Sequence, residues 1–193
     1  FSQVKIDSLL NELDTTLDNS EFFHNKKETE INKLRNLLKF TSSNVQKYGI
    51  YEKLYVEYKF YQSDSALNYA RKSLDIANVL KDLTKINTAK INLASIMGTL
   101  GMYKEATEIL YKFNIKATPE IKSIYYGVNS YIYLNMAEYA ASPQEKKKYD
   151  LLTMQYRDST FHSDPVGSKS YFITQANKHF ENQKFDETLK LLE

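Results

Sequence analysis

Three positions that call for a small side chain, Ala66, Ala106 and Thr188, recur in similar surroundings, and their spacing limits what this chain can become. Ala66 and Ala106 lie 40 residues apart, and Ala106 and Thr188 lie 82 apart, about twice as far. One unit therefore falls midway, where Tyr125–Tyr139 and Glu145–Tyr156 stand. A recurrence of this length suits a helical hairpin that buries its apolar face only by stacking on its neighbours. The best-defined unit runs through Asn92, Leu93, Ala94, Met97, Gly101, Met102, Tyr103, Ala106 and Leu110. Ala94 lets the partner helix approach, and Gly101 takes the left-handed conformation that ends the first helix. Tyr103 covers the turn, and Ala106 is small where the second helix crosses the first. Ser65-Ala66 through Leu74 reads as the second helix of an earlier unit. Ala176, Phe180, Phe185-Asp186-Glu187-Thr188 and Leu191 read as a later unit.

This is the tetratricopeptide pattern in degenerate form. The pitch exceeds the roughly 34 residues usual for it, which lengthened helices explain. The predicted fold is all-α, a tetratricopeptide-like right-handed stack of antiparallel helix hairpins with about ten helices. It is read as a single domain over residues 1–193. An N-terminal hairpin covers 1–41, and repeat units cover 42–82, 83–117, 118–160 and 168–193, the last incomplete. Only 5 Gly and 3 Pro occur, which favours long helices and short joints. No segment keeps a period of two, so no sheet is expected.

The elements follow from the apolar spacing. Val4, Leu9, Leu10, Leu13 and Leu17 mark one helix, and Asn19 and Ser20 interrupt it and cap the next. That next helix should bury Phe22, Phe23, Ile31, Leu34, Leu37 and Leu38. Tyr48, Tyr51, Leu54, Tyr55 and Tyr58 follow on one face, then Ala66, Tyr69, Ala70, Leu74 and Ala77, with Asp64 as the N-cap. A helix with Ile86, Ala89, Leu93, Ala94 and Met97 breaks around Gly98 to Gly101. Thr118-Pro119-Glu120 and Ser142-Pro143-Gln144-Glu145 start two further helices, the second with a capping box in which Glu145 reaches the Ser142 amide. Asp164-Pro165-Val166-Gly167 is the clearest loop, before a final pair at Tyr171–Glu181 and Phe185–Glu193. The chain stops inside this last helix, where a stack needs a polar cap, and it begins at Phe1 without Met. Both features predict a piece cut from a longer protein.

The chemistry of catalysis finds no residues. His24, His162 and His179 stand far apart without the spacing of a metal site. There is no Gly-rich phosphate loop and no GxSxG or HExxH, and no Cys for a nucleophile, disulfide or thiolate site. The carboxylates sit among lysines as solvated ion pairs. No enzyme, metal or cofactor is predicted. A net charge of +2 without a basic stripe gives no footprint for nucleic acid, and Lys146-Lys147-Lys148 reads as a solvated helix face.

Tyrosine is abundant, with 16 residues against no Trp, which leaves Tyr to supply any large amphipathic surface. One stripe is Tyr48, Tyr51, Tyr55 and Tyr58; Tyr125, Tyr126, Tyr131, Tyr133 and Tyr139 crowd another helix. Such residues either pack between helices or line a concave groove. In the groove reading, the inner face of the first helices presents Tyr55, Tyr58, Ser95, Asn129 and Tyr133 to a ligand.

The runs Leu13-Asp14 to Leu17, Lys26-Lys27-Glu28 to Leu34, Glu57-Tyr58-Lys59 to Ala66, Ala89-Lys90-Ile91 to Ala94, Gly101-Met102-Tyr103 to Ala106, and Tyr156-Arg157-Asp158-Ser159 resemble a Bacteroidetes family. They are similar to the extracytoplasmic N-terminal region of DUF6377-type membrane-anchored regulators. There a tetratricopeptide-like region precedes one transmembrane helix and a cytoplasmic part that looks like a transcription regulator. The resemblance covers nearly the whole chain. It implies a periplasmic, non-catalytic protein- or peptide-binding or sensor domain, attached to the membrane through a segment absent here, with no nucleic-acid contact of its own. Self-association as a homodimer is compatible with it. The rivals are a cytoplasmic scaffold or adaptor, and a small-ligand domain for peptide or glycan, favoured if the tyrosines line a deep pocket.

Overall fold

Helix boundaries in this chain are set by a few residues that satisfy the end groups of the backbone. The computed structural model describes residues 3–113, 118–181 and 183–192. Among these it forms ten helices and no strand. They are α1 (Gln3–Asp18), α2 (Ser20–Lys39), α3 (Asn44–Tyr58), α4 (Ser63–Leu80) and α5 (Leu83–Thr99), then α6 (Tyr103–Tyr111), α7 (Pro119–Glu138), α8 (Pro143–Ser163), α9 (Lys169–Glu181) and α10 (Phe185–Leu192). The expected roles of the Val4 side chain and of Glu193 lie outside the described residues.

Gly101, at φ 76°, ends α5 as its spacing predicts. Its N–H donates to the Gly98 carbonyl at 3.2 Å and that of Met102 to the Met97 carbonyl at 2.9 Å, which closes two carbonyls the helix leaves open. The same pair of bonds ends α9, where Gln183 takes the left-handed position at φ 61°. Asp82 caps α5 by accepting from the Lys85 N–H at 3.0 Å. Ser142 caps α8 through the Glu145 N–H at 3.2 Å. The returning carboxylate of Glu145 accepts from Ala141, one residue earlier than the capping-box spacing predicts. Asp64 is not an N-cap. Helix α4 begins one residue before it, and Asp64 sits in the first turn, where its charge complements the positive helix end.

The N-terminal hairpin expected over 1–41 is not formed. Asn19 carries helical bonds on both sides: its N–H reaches the Thr15 carbonyl and its carbonyl accepts from Phe23, both at 3.2 Å. The chain therefore runs on from α1 into α2 instead of folding back. Asn19 also spends its side-chain amide on the Thr15 carbonyl at 2.7 Å, so it continues the helix rather than capping the next. Leu9, Leu10, Leu13 and Leu17 remain exposed in consequence. Of the face expected to be buried on α2, Ile31 is fully buried and Leu34 packs on the core, while Phe22, Phe23 and Leu37 face outward.

From α3 onward the hairpins form as paired helices: α3 with α4, α5 with α6, α7 with α8 and α9 with α10. Successive units join through α4 on α5, α6 on α7 and α8 on α9, and the first helices α5 and α7 also touch directly. The main core threads through Ile31, Leu54, Tyr58, Ala66, Leu93, Ala94, Ala106, Leu110 and Ile132. Burying side chains such as Leu54 and Ile132 contributes about 1.5–3 kcal/mol each. The small positions behave as the repeat requires, with Ala66 and Ala106 fully buried and Thr188 nearly so. Thr188 turns its hydroxyl back onto the Lys184 carbonyl at 3.0 Å, which makes it tolerable where alanine stood before.

Candidate binding site

The second helix of the middle unit, α6, has nine residues, while its counterparts α4 and α8 have 18 and 21. At 1.5 Å per residue, α6 stops well short of its neighbours. Beside its last turn lies a cavity of about 450 Å³. Thr107, Glu108, Tyr111 and Lys112 of the α6 end form one wall, Tyr156 of α8 the other, and Tyr125, Asn129 and Tyr133 of α7 the floor. The volume lies within the range of small-ligand sites.

The tyrosines are held in a ladder. The Tyr156 ring stacks on Tyr133 at 5.6 Å and 8°, and Tyr133 stacks in turn on Tyr149 at 6.3 Å. Tyr125 meets Tyr156 edge-on at 6.3 Å and is covered on one face by Phe113, 4.1 Å away and nearly parallel. Offset and edge-to-face contacts of this kind are favourable and fix ring orientation. Burial raises the pKa of the Tyr125 phenol, with Tyr156 adding to the effect. Tyr133 is raised by burial and then by Tyr156 and Tyr149. Both phenols stay neutral at ordinary pH, able to donate and to accept hydrogen bonds. Asn129 donates its amide to the Tyr125 carbonyl at 2.9 Å, one turn back, which sets its side chain along the floor. Glu108 and Lys112 stand exposed at the rim with opposite charges, and Tyr111, 90% exposed, offers a ring with little to hold it.

The five residues assigned to an inner face do not form one surface. Tyr55 and Tyr58 are 4% and 1% exposed, and both belong to the core. Tyr58 is packed between Tyr69, stacked at 5.6 Å and 10°, and the Arg35 guanidinium 5.7 Å from its ring. Ser95 lies half-buried beside Tyr55: burial raises the pKa of that phenol and the Ser95 hydroxyl opposes it. Asn129 and Tyr133 are the two that meet at the cavity. The cavity opens between the second helices, because α7 projects these two side chains toward α8 and the end of α6. The contributions of Thr107, Glu108, Tyr111, Lys112 and Tyr156 were not anticipated. The early end of α6 was the available signal, since its last turn and the aromatic residues of α7 line the same cavity.

A second hollow of about 410 Å³ lies between α2 and α3, lined by Glu30, Leu34, Glu52, Lys53, Val56 and Glu57. Lys27 bridges the two helices by an ion pair with Glu57 at 2.7 Å. Glu52 accepts from the Asn92 amide at 2.9 Å, and its carboxylate is buried beside Ser73 and Tyr48. Burial dominates and raises its pKa against the opposing pull of Ser73, Asn92 and Tyr48. Among the described residues no group of three or more His, Cys, Asp or Glu could hold a metal ion. No helix among them is long and apolar enough to cross a membrane.

Comparison with known families agrees with the helical-repeat architecture. A family model described as the SusR N-terminal TPR domain matches residues 17–193, and SusR is a Bacteroidetes regulator. No curated protein matches the chain. Domains of this type are typically non-catalytic interaction folds. The chain belongs to the SusR N-terminal TPR domain family, whose architecture suits a protein-interaction or sensing role.

Proposed function

We propose that this chain is the periplasmic recognition domain of a membrane-anchored Bacteroidetes transcription regulator, and that it binds a short neutral oligosaccharide in the cavity between α6, α7 and α8. The observation that carries the ligand reading is the Tyr125–Tyr156–Tyr133 ladder beside Asn129, Glu108 and Lys112. Flat aromatic faces match the apolar faces of sugar rings, and neutral phenols, an amide and rim charges match their hydroxyl edges. The rim charges oppose each other, so nothing in the wall selects for a net charge on the ligand. A cavity of this size suits a compact ligand better than the flat face a folded partner needs.

The setting in a membrane-anchored regulator rests on family membership and on the likeness to DUF6377-type regions. A reporter fusion to the full reading frame in the native host tests that setting, and a reporter active only in the cytoplasm overturns it. Titration calorimetry with neutral oligosaccharides, alongside aromatic-rich peptides, tests the ligand. Binding of oligosaccharide that Tyr133→Ala abolishes supports the reading. Binding of peptide alone replaces it with the interaction-domain alternative.

A further inference from the structure

One line of positions runs through α1 and α2 at alternating steps of four and three: Ile6, Leu10, Leu13 and Leu17, then Ser20, His24, Lys27, Ile31 and Leu34. Such a line marks one face of a continuous helix. On α2 this face meets the rest of the chain. His24 lies 3.0 Å from the Tyr61 hydroxyl, Lys27 pairs with Glu57 at 2.7 Å, Ile31 is fully buried and Leu34 packs on the core. On α1 the same face projects past the body, because α3 ends at Tyr58 and the chain turns back into α4. Ile6, Leu10, Leu13 and Leu17 are therefore 41–60% exposed. Leu9, exposed beside them, widens the stripe to an arc of about 100°, the width that ordinarily faces a core. Asp14, Asp18 and Glu21 border it on one side, and Glu12 and Thr16 on the other.

We infer that this stripe is covered by α1 of a second copy of the chain, running antiparallel. The direction follows from what lies beside α2. There α3 and α4 fill the space in front of the same face, so a parallel partner would run its own α2 into them. An antiparallel partner carries its α2 away past the start of α1. The stripe is then its own complement. With the two-fold axis between Asn11 and Glu12, Ile6 faces Leu17 of the partner subunit and Leu10 faces the partner's Leu13, each pair occurring twice. Five half-exposed aliphatic side chains offer on the order of 500 Å² a copy, about 1,000 Å² for the pair, the size at which a specific interface begins. Because α1 is already held as the continuation of α2, no helix has to form on association, which lowers the ordering cost. The pairing uses no residue of the tyrosine cavity and does not depend on what that cavity binds.

Sedimentation equilibrium on the whole chain tests this. The mass should rise from 22.5 kDa toward twice that value, with a dissociation constant of about 1–100 μM. Leu10→Glu with Leu13→Glu puts charges into the seam at exposed positions, so it should hold the mass at one chain with an unchanged melting curve. Ser8→Glu with Thr15→Glu, on the opposite side of α1, should leave association as in the parent. The chain has no cysteine, so introduced thiols report the direction of pairing. Ile6→Cys and Leu17→Cys chains should stay unlinked when oxidised apart and become linked when oxidised as a mixture. A parent that remains a single chain well above that concentration range overturns the inference and leaves the stripe to a different protein. Association that survives Leu10→Glu with Leu13→Glu also overturns it, because another face is then in use. Self-linking of each cysteine variant alone, with none gained in the mixture, overturns the antiparallel pairing.

Discussion

Gly98 of α5 lies directly against Ile132 of α7: a Cβ added to Gly98 would stand 2.9 Å from Ile132 Cγ1. This is where the first helices of two successive units touch, and the missing side chain sets how closely they approach. Gly98→Ala should therefore destabilise the fold even though alanine is the better helix former. Overpacking costs about 1–3 kcal/mol, against a gain of about 1 kcal/mol in helix propensity. Gly127, also within a helix, has nothing within 4 Å of an added Cβ. Gly127→Ala should stabilise by about 0.5–1 kcal/mol. Urea midpoints of the two variants should move in opposite directions. A shift of the same sign in both would show that the Gly98 contact does not limit the helix spacing.

Asp164 closes the joint between the third hairpin and the last. It is 6% exposed, accepts from the Ser123 hydroxyl on α7, and accepts from the Thr174 hydroxyl on α9 at 2.8 Å. Two elements far apart in the chain are thus held by one buried carboxylate. Hydrogen bonds to a charged group are worth about 1.5–3 kcal/mol. Asp164→Ala should loosen α9 and α10 before the rest of the stack opens. Amide hydrogen exchange checks this: protection should fall across 169–192 and hold in α3 to α5. Uniform loss of protection would mean that the joint is no weaker than the core.

The buried carboxylate of Glu52 gives the stack a pH dependence. Its pKa is raised above the ordinary carboxylate value of 4.5, chiefly by burial. The folded state then keeps a proton that the unfolded state releases first. Stability from this group is fully present below pH 4.5 and is lost as pH rises through the higher folded value. Glu52→Gln has no charge to bury and can still accept from Asn92. It should be more stable than the parent at neutral pH and equal or weaker in mild acid. Urea midpoints measured across that range should converge toward low pH, and a constant offset would rule out the titration as the cause.

The repeat was legible because it depends on local chemistry. Gly101 at a left-handed turn and Ala106 at a crossing are demands that a single residue type answers, and the structure repeats both. The N-terminal hairpin was misread for the opposite reason. Asn19 is a good cap in a sequence, yet its backbone accepts helical geometry, and nothing in the spacing of leucines tells a turn from a continuation. The tyrosines were the hardest to read. Tyr58 and Tyr133 occupy similar positions on first helices, but Tyr58 is sealed by Tyr69 and Arg35. Tyr133 is half-buried and lines the cavity beside the last turn of α6. That difference lies in what packs on each ring from other helices, which no residue on α3 or α7 records.

The two tyrosines accordingly separate stability from binding. Tyr58 is 1% exposed in the main core, so Tyr58→Ala should cost about 3–5 kcal/mol, the range for removing a large buried ring. Tyr133 is half-buried and packs chiefly on Tyr149 and Tyr156, outside that core. Tyr133→Ala should lower the melting temperature much less and remove the stacking platform of the cavity. Tyr133→Phe keeps the ladder and deletes the hydroxyl, so it divides stacking from hydrogen bonding at the same position. If stacking dominates, Tyr133→Phe retains most of the affinity that Tyr133→Ala loses. Equal loss in both would place the recognition in the phenol hydroxyl. Full affinity in both would move the site away from this cavity altogether.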